Sequence, residues 1–153
     1  MKSKLFILIC SFFSLFSSLS ANNPSDGWPT FKCGFHYYAG LPNERHVCVG
    51  AGTCRIEFDC EFNWERPAGT NQIDQVEITR NDAGNVIVNI PKSSLSRIQT
   101  NELFGLASKK FELGNDSPLP ESIRIGLGLP KDHVIKAGLY RFTESSTFYS
   151  ITF

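Results

Sequence analysis

Residues 54–62 read Cys54-Arg55-Ile56-Glu57-Phe58-Asp59-Cys60-Glu61-Phe62. Cys54, Ile56, Phe58, Cys60 and Phe62 share one parity, and Arg55, Glu57, Asp59 and Glu61 share the other. Such alternation marks a strand with one face in a core and one in water. The charged stripe is read as the solvated face of an antiparallel sheet rather than a calcium site, because alternate strand positions lie about 7 Å apart.

Just upstream, His46-Val47-Cys48-Val49 and Thr53-Cys54 flank Gly50-Ala51-Gly52, which suits a hairpin with a three-residue, glycine-bearing loop. Pairing Val49 with Thr53 sets Cys48 opposite Cys54. Cys54 and Cys60 are held about 20 Å apart by six residues of strand at roughly 3.3 Å each, too far for a disulfide. The expected bridges are therefore Cys48–Cys54 and Cys33–Cys60.

Downstream, Val76 and Ile78, then Val86, Val88 and Ile90, alternate on either side of the turn cluster Asn81-Asp82-Ala83-Gly84-Asn85, a second hairpin. Ser93 or Ser94 and then Thr100 are candidate caps for one short helix near 94–104, with Gly105 ending it. Phe111 and Leu113 alternate briefly. Ile123, Ile125, Leu127 and Leu129 share a parity and predict another strand, in which Gly126 and Gly128 imply a close backbone approach or a bend. At the C-terminus a hairpin is expected to pair Phe142 with Tyr149 and Tyr140 with Ile151. The fold class is all-β and mainly antiparallel, a small β-sandwich or barrel-like domain with about seven strands and one short helix.

The compartment follows from the start of the chain. Lys2 and Lys4 precede an apolar run of roughly 12 to 15 residues, shorter than the about 20 that a membrane-spanning helix needs, and Ser18, Ser20 and Ala21 offer small residues for cleavage. Residues 1–21 are read as a signal peptide and 22–153 as a single disulfide-stabilised β domain, secreted, periplasmic or extracellular. Cleavage removes Lys2, Lys4 and Cys10, leaving 13 basic against 15 acidic residues and four cysteines. No basic nucleic-acid footprint is present. An even cysteine count in an exported chain favours disulfides. No transmembrane span is expected after cleavage.

Function is less legible. The segment 28–38 holds Trp28, Phe31, Phe35, Tyr37 and Tyr38. Phe31 and Phe35 are expected in the core, whereas Trp28, Tyr37, Tyr38 and Trp64 are the candidate contact surface for a glycan or a protein partner, since aromatic rings bury large areas at small entropic cost. No Gly-x-Ser-x-Gly, His-Glu-x-x-His or phosphate-loop pattern occurs, and no cofactor is called for. The expectation is a binding module rather than an enzyme. The rival is an exported hydrolase or metal-binding protein built on His36, His46, Cys33, Cys48 and Cys54, disfavoured because the thiols have disulfide partners. A small outer-membrane-associated protein is a further alternative, weakened by short strands. Asn115-Asp116-Ser117 has the pattern of a glycosylation acceptor.

Overall fold

The computed structural model describes residues 27–39, 52–64, 71–104 and 109–153. The proposed signal peptide and the hairpin partner Cys48 lie outside these residues. Apolar alternation produces β1 Phe31–Ala39, β2 Thr53–Asp59, β3 Gln72–Arg80, β4 Val86–Pro91, β5 Lys110–Leu113, β6 Ser117–Pro118, β7 Val134–Ile135, β8 Gly138–Glu144 and β9 Phe148–Thr152. Seven of them close a barrel in the order β1-β2-β5-β8-β9-β4-β3, and β6 pairs separately with β7. All barrel neighbours are antiparallel except β2 and β5. The expected mainly antiparallel, barrel-like fold is what forms.

Period two decides the interior. Cys33, Phe35 and Tyr37 of β1 and Val86, Val88 and Ile90 of β4 are buried, as are Ile56 of β2, Phe111 of β5 and Ile151 of β9. Each large side chain so placed stabilises the fold by roughly 1.5–3 kcal/mol over its exposed state. An apolar interior behind polar outer positions is the inverse of a membrane barrel, whose apolar band faces lipid. Among the described residues no helix is long and apolar enough to cross a membrane.

The β1–β2 register, with Gly34 opposite Asp59, sets Cys33 beside Cys60, and the two form a disulfide as expected. Cys54 is also half of a disulfide. The strand expected to run to Phe62 stops at Asp59, however: Cys60 lies in a turn, and Phe62 has φ 56° and is 55 % exposed. The buried Asp59 carboxylate causes the turn by accepting the N–H groups of Glu61 (3.1 Å) and Trp64 (2.7 Å). Alternation in the sequence outlasted the ladder because the Asp59 turn takes the chain off β1, which itself runs on to Phe31.

The β3–β4 hairpin forms as expected, closed by Asn81, whose carbonyl accepts from Gly84 N, whose N–H donates to Asn85 O and whose side-chain Oδ1 accepts from Asn85 N. The C-terminal hairpin also forms, in a register shifted by two: Phe142 faces Ile151 and Glu144 faces Tyr149. A tighter turn is the reason. Ser145 donates its N–H to Phe148 O, and its hydroxyl accepts the Phe148 N–H, both at 2.9 Å. A shift of two preserves side-chain parity, so the same residues face the core.

Each barrel end is covered by a helix. α1 spans Arg97–Phe104 and follows a 3-10 turn, Lys92–Ser94. Its cap is Ser96 rather than Ser93, Ser94 or Thr100. Ser96 Oγ accepts from Gln99 N at 3.1 Å and Gln99 Oε1 accepts from Ser96 N at 2.9 Å, a reciprocal capping box. Phe104 then stacks on Tyr149 at 4.3 Å and meets Phe142 edge-on at 4.8 Å.

At the opposite end, where a strand was expected over 123–129, the chain forms α2, Glu121–Gly126. Leu119, Ile123 and Leu127 recur every four residues and are buried, so a helical period fits the same letters. Gly128, at φ +62°, donates to Ile125 O while Leu129 donates to Arg124 O, both at 2.9 Å. These two bonds are a Schellman stop, which favours glycine at the left-handed position.

The barrel's weakest seam is β2–β5, with one bridge between Thr53 and Leu113. The chain beyond β5 continues it: Gly114 N donates to Thr53 O (2.8 Å), Asn115 N to Cys54 O (2.7 Å), and Ile56 N to Ser117 Oγ (3.1 Å). Asn115 Nδ2 also donates to Cys54 O at 3.2 Å, and Ser117 is fully buried. The acceptor pattern Asn115-Asp116-Ser117 is thus part of the barrel wall.

Candidate functional site

The four aromatic residues singled out in the sequence do not form one surface. Trp28 lies before one end of β1, where its Nε1 donates to Asp82 Oδ1 at 3.1 Å and the Arg80 guanidinium covers its ring at 3.9 Å. Arg80 Nη1 also donates to Leu127 O at 2.9 Å, so the group clamps the chain before β1, the β3–β4 hairpin and α2 together. Tyr37 is wholly buried, because its parity follows Cys33 and Phe35 inward, and its hydroxyl donates to Glu102 Oε2 at 3.0 Å. It is a core residue.

Tyr38 and Trp64 come together on the outer face of β1 and β2, on either side of the buried His36 ring, at 4.6 and 5.1 Å. The Tyr38 hydroxyl donates to Glu57 Oε2 at 3.2 Å, Arg55 lies over its ring at 4.3 Å, and Arg55 pairs with Glu57 at 2.8 Å. Tyr38 thus already carries a cation over one ring face, as Trp28 does.

Of the Cys/His set, three residues are described. Cys33 and Cys54 are disulfide-bonded, His36 packs between Tyr38 and Trp64, and His46 and Cys48 lie outside the described residues. A bonded cysteine is neither a nucleophile nor a thiolate ligand.

A different site is assembled by register. Lys32 on β1 faces Glu77 on β3, Glu77 faces Asn89 on β4, Asn89 faces Ser150 on β9, and Ser150 faces Thr143 on β8. Five strands at about 4.8 Å spacing make this a polar row of roughly 19 Å on the outer face. From Glu77 to Thr143 the row lies in a groove of about 550 Å³ that Phe148 and Ile87 also line. Ser150 Oγ donates to Asn89 Oδ1 at 2.6 Å, which leaves the Asn89 amide nitrogen as a donor to a ligand. Hydroxyls, an amide and one carboxylate beside apolar carbon can hold a molecule with many hydroxyl groups and a C–H face.

The signal for this row was present as the polar parity of three strands, Glu77 and Thr79, Asn89, and Ser150 and Thr152. Its alignment was not, because register is a property of strand pairs.

Three groups with displaced protonation lie away from the groove. Burial first, and the Glu102 carboxylate second, raise the Tyr37 hydroxyl far above the ordinary tyrosine range. The Ala137 N–H and then the Lys136 ammonium hold the Asp116 carboxyl below its usual value. Tyr140 is raised by burial and by the nearby Asp116 charge. Each has a structural partner: Asp116 fastens the loop 136–137 at 2.8 and 3.1 Å, the Tyr140 hydroxyl donates to Lys136 O at 2.5 Å, and Tyr37 ties β1 to α1.

No family model, curated protein or solved structure matches this chain.

Proposed function

We propose that this protein is an exported, non-catalytic module that binds a glycan across the outer face of β3, β4, β9 and β8. The observation that carries the reading is the single-register row Glu77–Asn89–Ser150–Thr143 beside Phe148 and Ile87. Sugar hydroxyls need closely spaced donors and acceptors, while the C–H face of a pyranose packs on apolar carbon. Export, with residues 1–21 as the signal peptide, is supported by the Cys33–Cys60 disulfide, since such bonds persist in oxidising compartments.

The test is a glycan array followed by calorimetric titration. Wild-type protein is expected to bind at least one oligosaccharide. Asn89→Ala and Phe148→Ala each weaken it about ten-fold, the equivalent of about 1.4 kcal/mol, while Arg55→Ala on the other face does not. Tryptophan fluorescence stays unchanged on binding, because Trp28 and Trp64 are not among the groove's lining residues. A blank array overturns the glycan reading and turns attention to a protein partner; a response that depends on Trp64 instead moves the site to the Tyr38 face.

A further inference from the structure

Among the described residues lining the groove, Glu77 is the one ionisable side chain. It is half-buried, and among the described residues it has no ion pair or hydrogen bond. Lys32 is its register neighbour on β1, yet it is exposed and unpaired with it. Every other polar side chain of the described lining is a hydroxyl or an amide. The groove therefore carries one carboxylate with no ion pair amid neutral hydrogen-bonding groups.

The geometry points to a glycan bearing a free amine as the preferred ligand, with Glu77 as the residue that selects it. This rests on the glycan reading above and adds the charge of the ligand to it. A sugar ammonium placed over β3 makes a charge-assisted hydrogen bond to the Glu77 carboxylate, stronger than a neutral one by about a factor of two. Its neighbouring hydroxyls then meet the Asn89 amide and the Ser150 and Thr143 hydroxyls along the row. An acidic sugar in the same place sets two negative charges together, a repulsion that discriminates against uronate, sulfated and sialylated chains. N-acetylation removes the positive charge and leaves hydroxyl recognition in place.

The experiment compares three oligosaccharides of equal length by calorimetry on the disulfide-bonded protein: a glucosamine oligomer, its N-acetylated counterpart and an oligouronate. Mildly acid buffer keeps the sugar amine protonated. The glucosamine oligomer is expected to bind about ten-fold tighter than the N-acetylated one, with the uronate weakest. The ratio should narrow as salt is added, because the half-buried pair is partly screened. Glu77→Gln brings the ratio to about one, and Glu77→Asp retains part of it. If wild type binds the first two equally, or Glu77→Gln keeps the preference, the inference is overturned and the glycan reading stands. If none of the three binds and the array is blank, the glycan reading itself has failed.

Discussion

Phe31 and Gly126 touch so closely that a Cβ at position 126 would overlap Phe31 Cζ. The last residue of α2 is thus the seat of the first ring of β1, and the helix caps that end of the barrel only because nothing projects there.

Gly126→Ala is expected to cost about 1–3 kcal/mol through this overlap. In a Phe31→Ala background the same substitution should become neutral or stabilising by up to about 1 kcal/mol, since alanine is the better helix former. A double-mutant cycle from urea unfolding reads the difference. Equal costs in both backgrounds would show that the ring is not what position 126 must avoid.

The Cys33–Cys60 bond closes a sequence separation of 27 residues between β1 and the turn after β2. Replacing both cysteines by serine should lower unfolding stability by about 3 kcal/mol, mostly through the freer unfolded chain. Chemical denaturation under non-reducing conditions measures it. Thiol counting on the unreduced, unfolded wild type should find no thiol from Cys33, Cys54 or Cys60.

Tyr37 makes stability depend on alkaline pH. Its hydroxyl keeps its proton in the folded barrel above the ordinary tyrosine value near 10. The unfolded chain loses that proton at about pH 10, so above this point the native state binds more protons and stability falls by up to about 1.4 kcal/mol per pH unit from this group. The contribution is complete below about pH 10 and is lost as the pH climbs toward the folded value. The stability gap between wild type and Tyr37→Phe should accordingly shrink between about pH 10 and 12. A constant gap across that range would contradict the assignment.

The Ser150 hydroxyl holds Asn89 Oδ1 across the β4–β9 ladder. Ser150→Ala should cost only about 0.5–1 kcal/mol of stability, typical of a half-exposed cross-strand pair. Glycan affinity should nonetheless drop about ten-fold as the Asn89 amide loses its fixed orientation. Melting curves and titrations on the same preparation separate the two effects.

Much of the barrel was legible because parity is local. Residues at 54, 56 and 58 and at 86, 88 and 90 announce a buried face whatever they pair with. Strand length ruled out a Cys54–Cys60 bond, and the hairpin expected to set Cys48 opposite Cys54 then left Cys33 for Cys60. Residues 123–129 misled because Ile123 and Leu127 satisfy a period of four as well as a period of two, and Gly128-Leu129-Pro130, which also suits a helix stop, was read as a bend. Tyr37 was placed outside by its company with Tyr38 although its parity with Cys33 pointed inward.

The amino-acid sequence by itself determined which side chains face inward along β2 and β4, that Cys54 and Cys60 cannot bond to each other, and where the β3–β4 hairpin turns, all consequences of neighbours a few residues apart. Only the tertiary structure decided that Glu77, Asn89, Ser150 and Thr143 share one row, that Arg55 and Arg80 cover the Tyr38 and Trp28 rings, and that α2 closes a barrel end. Those relationships depend on the register and closure of strands distant in the chain, and side-chain period carries no information about which strand lies alongside.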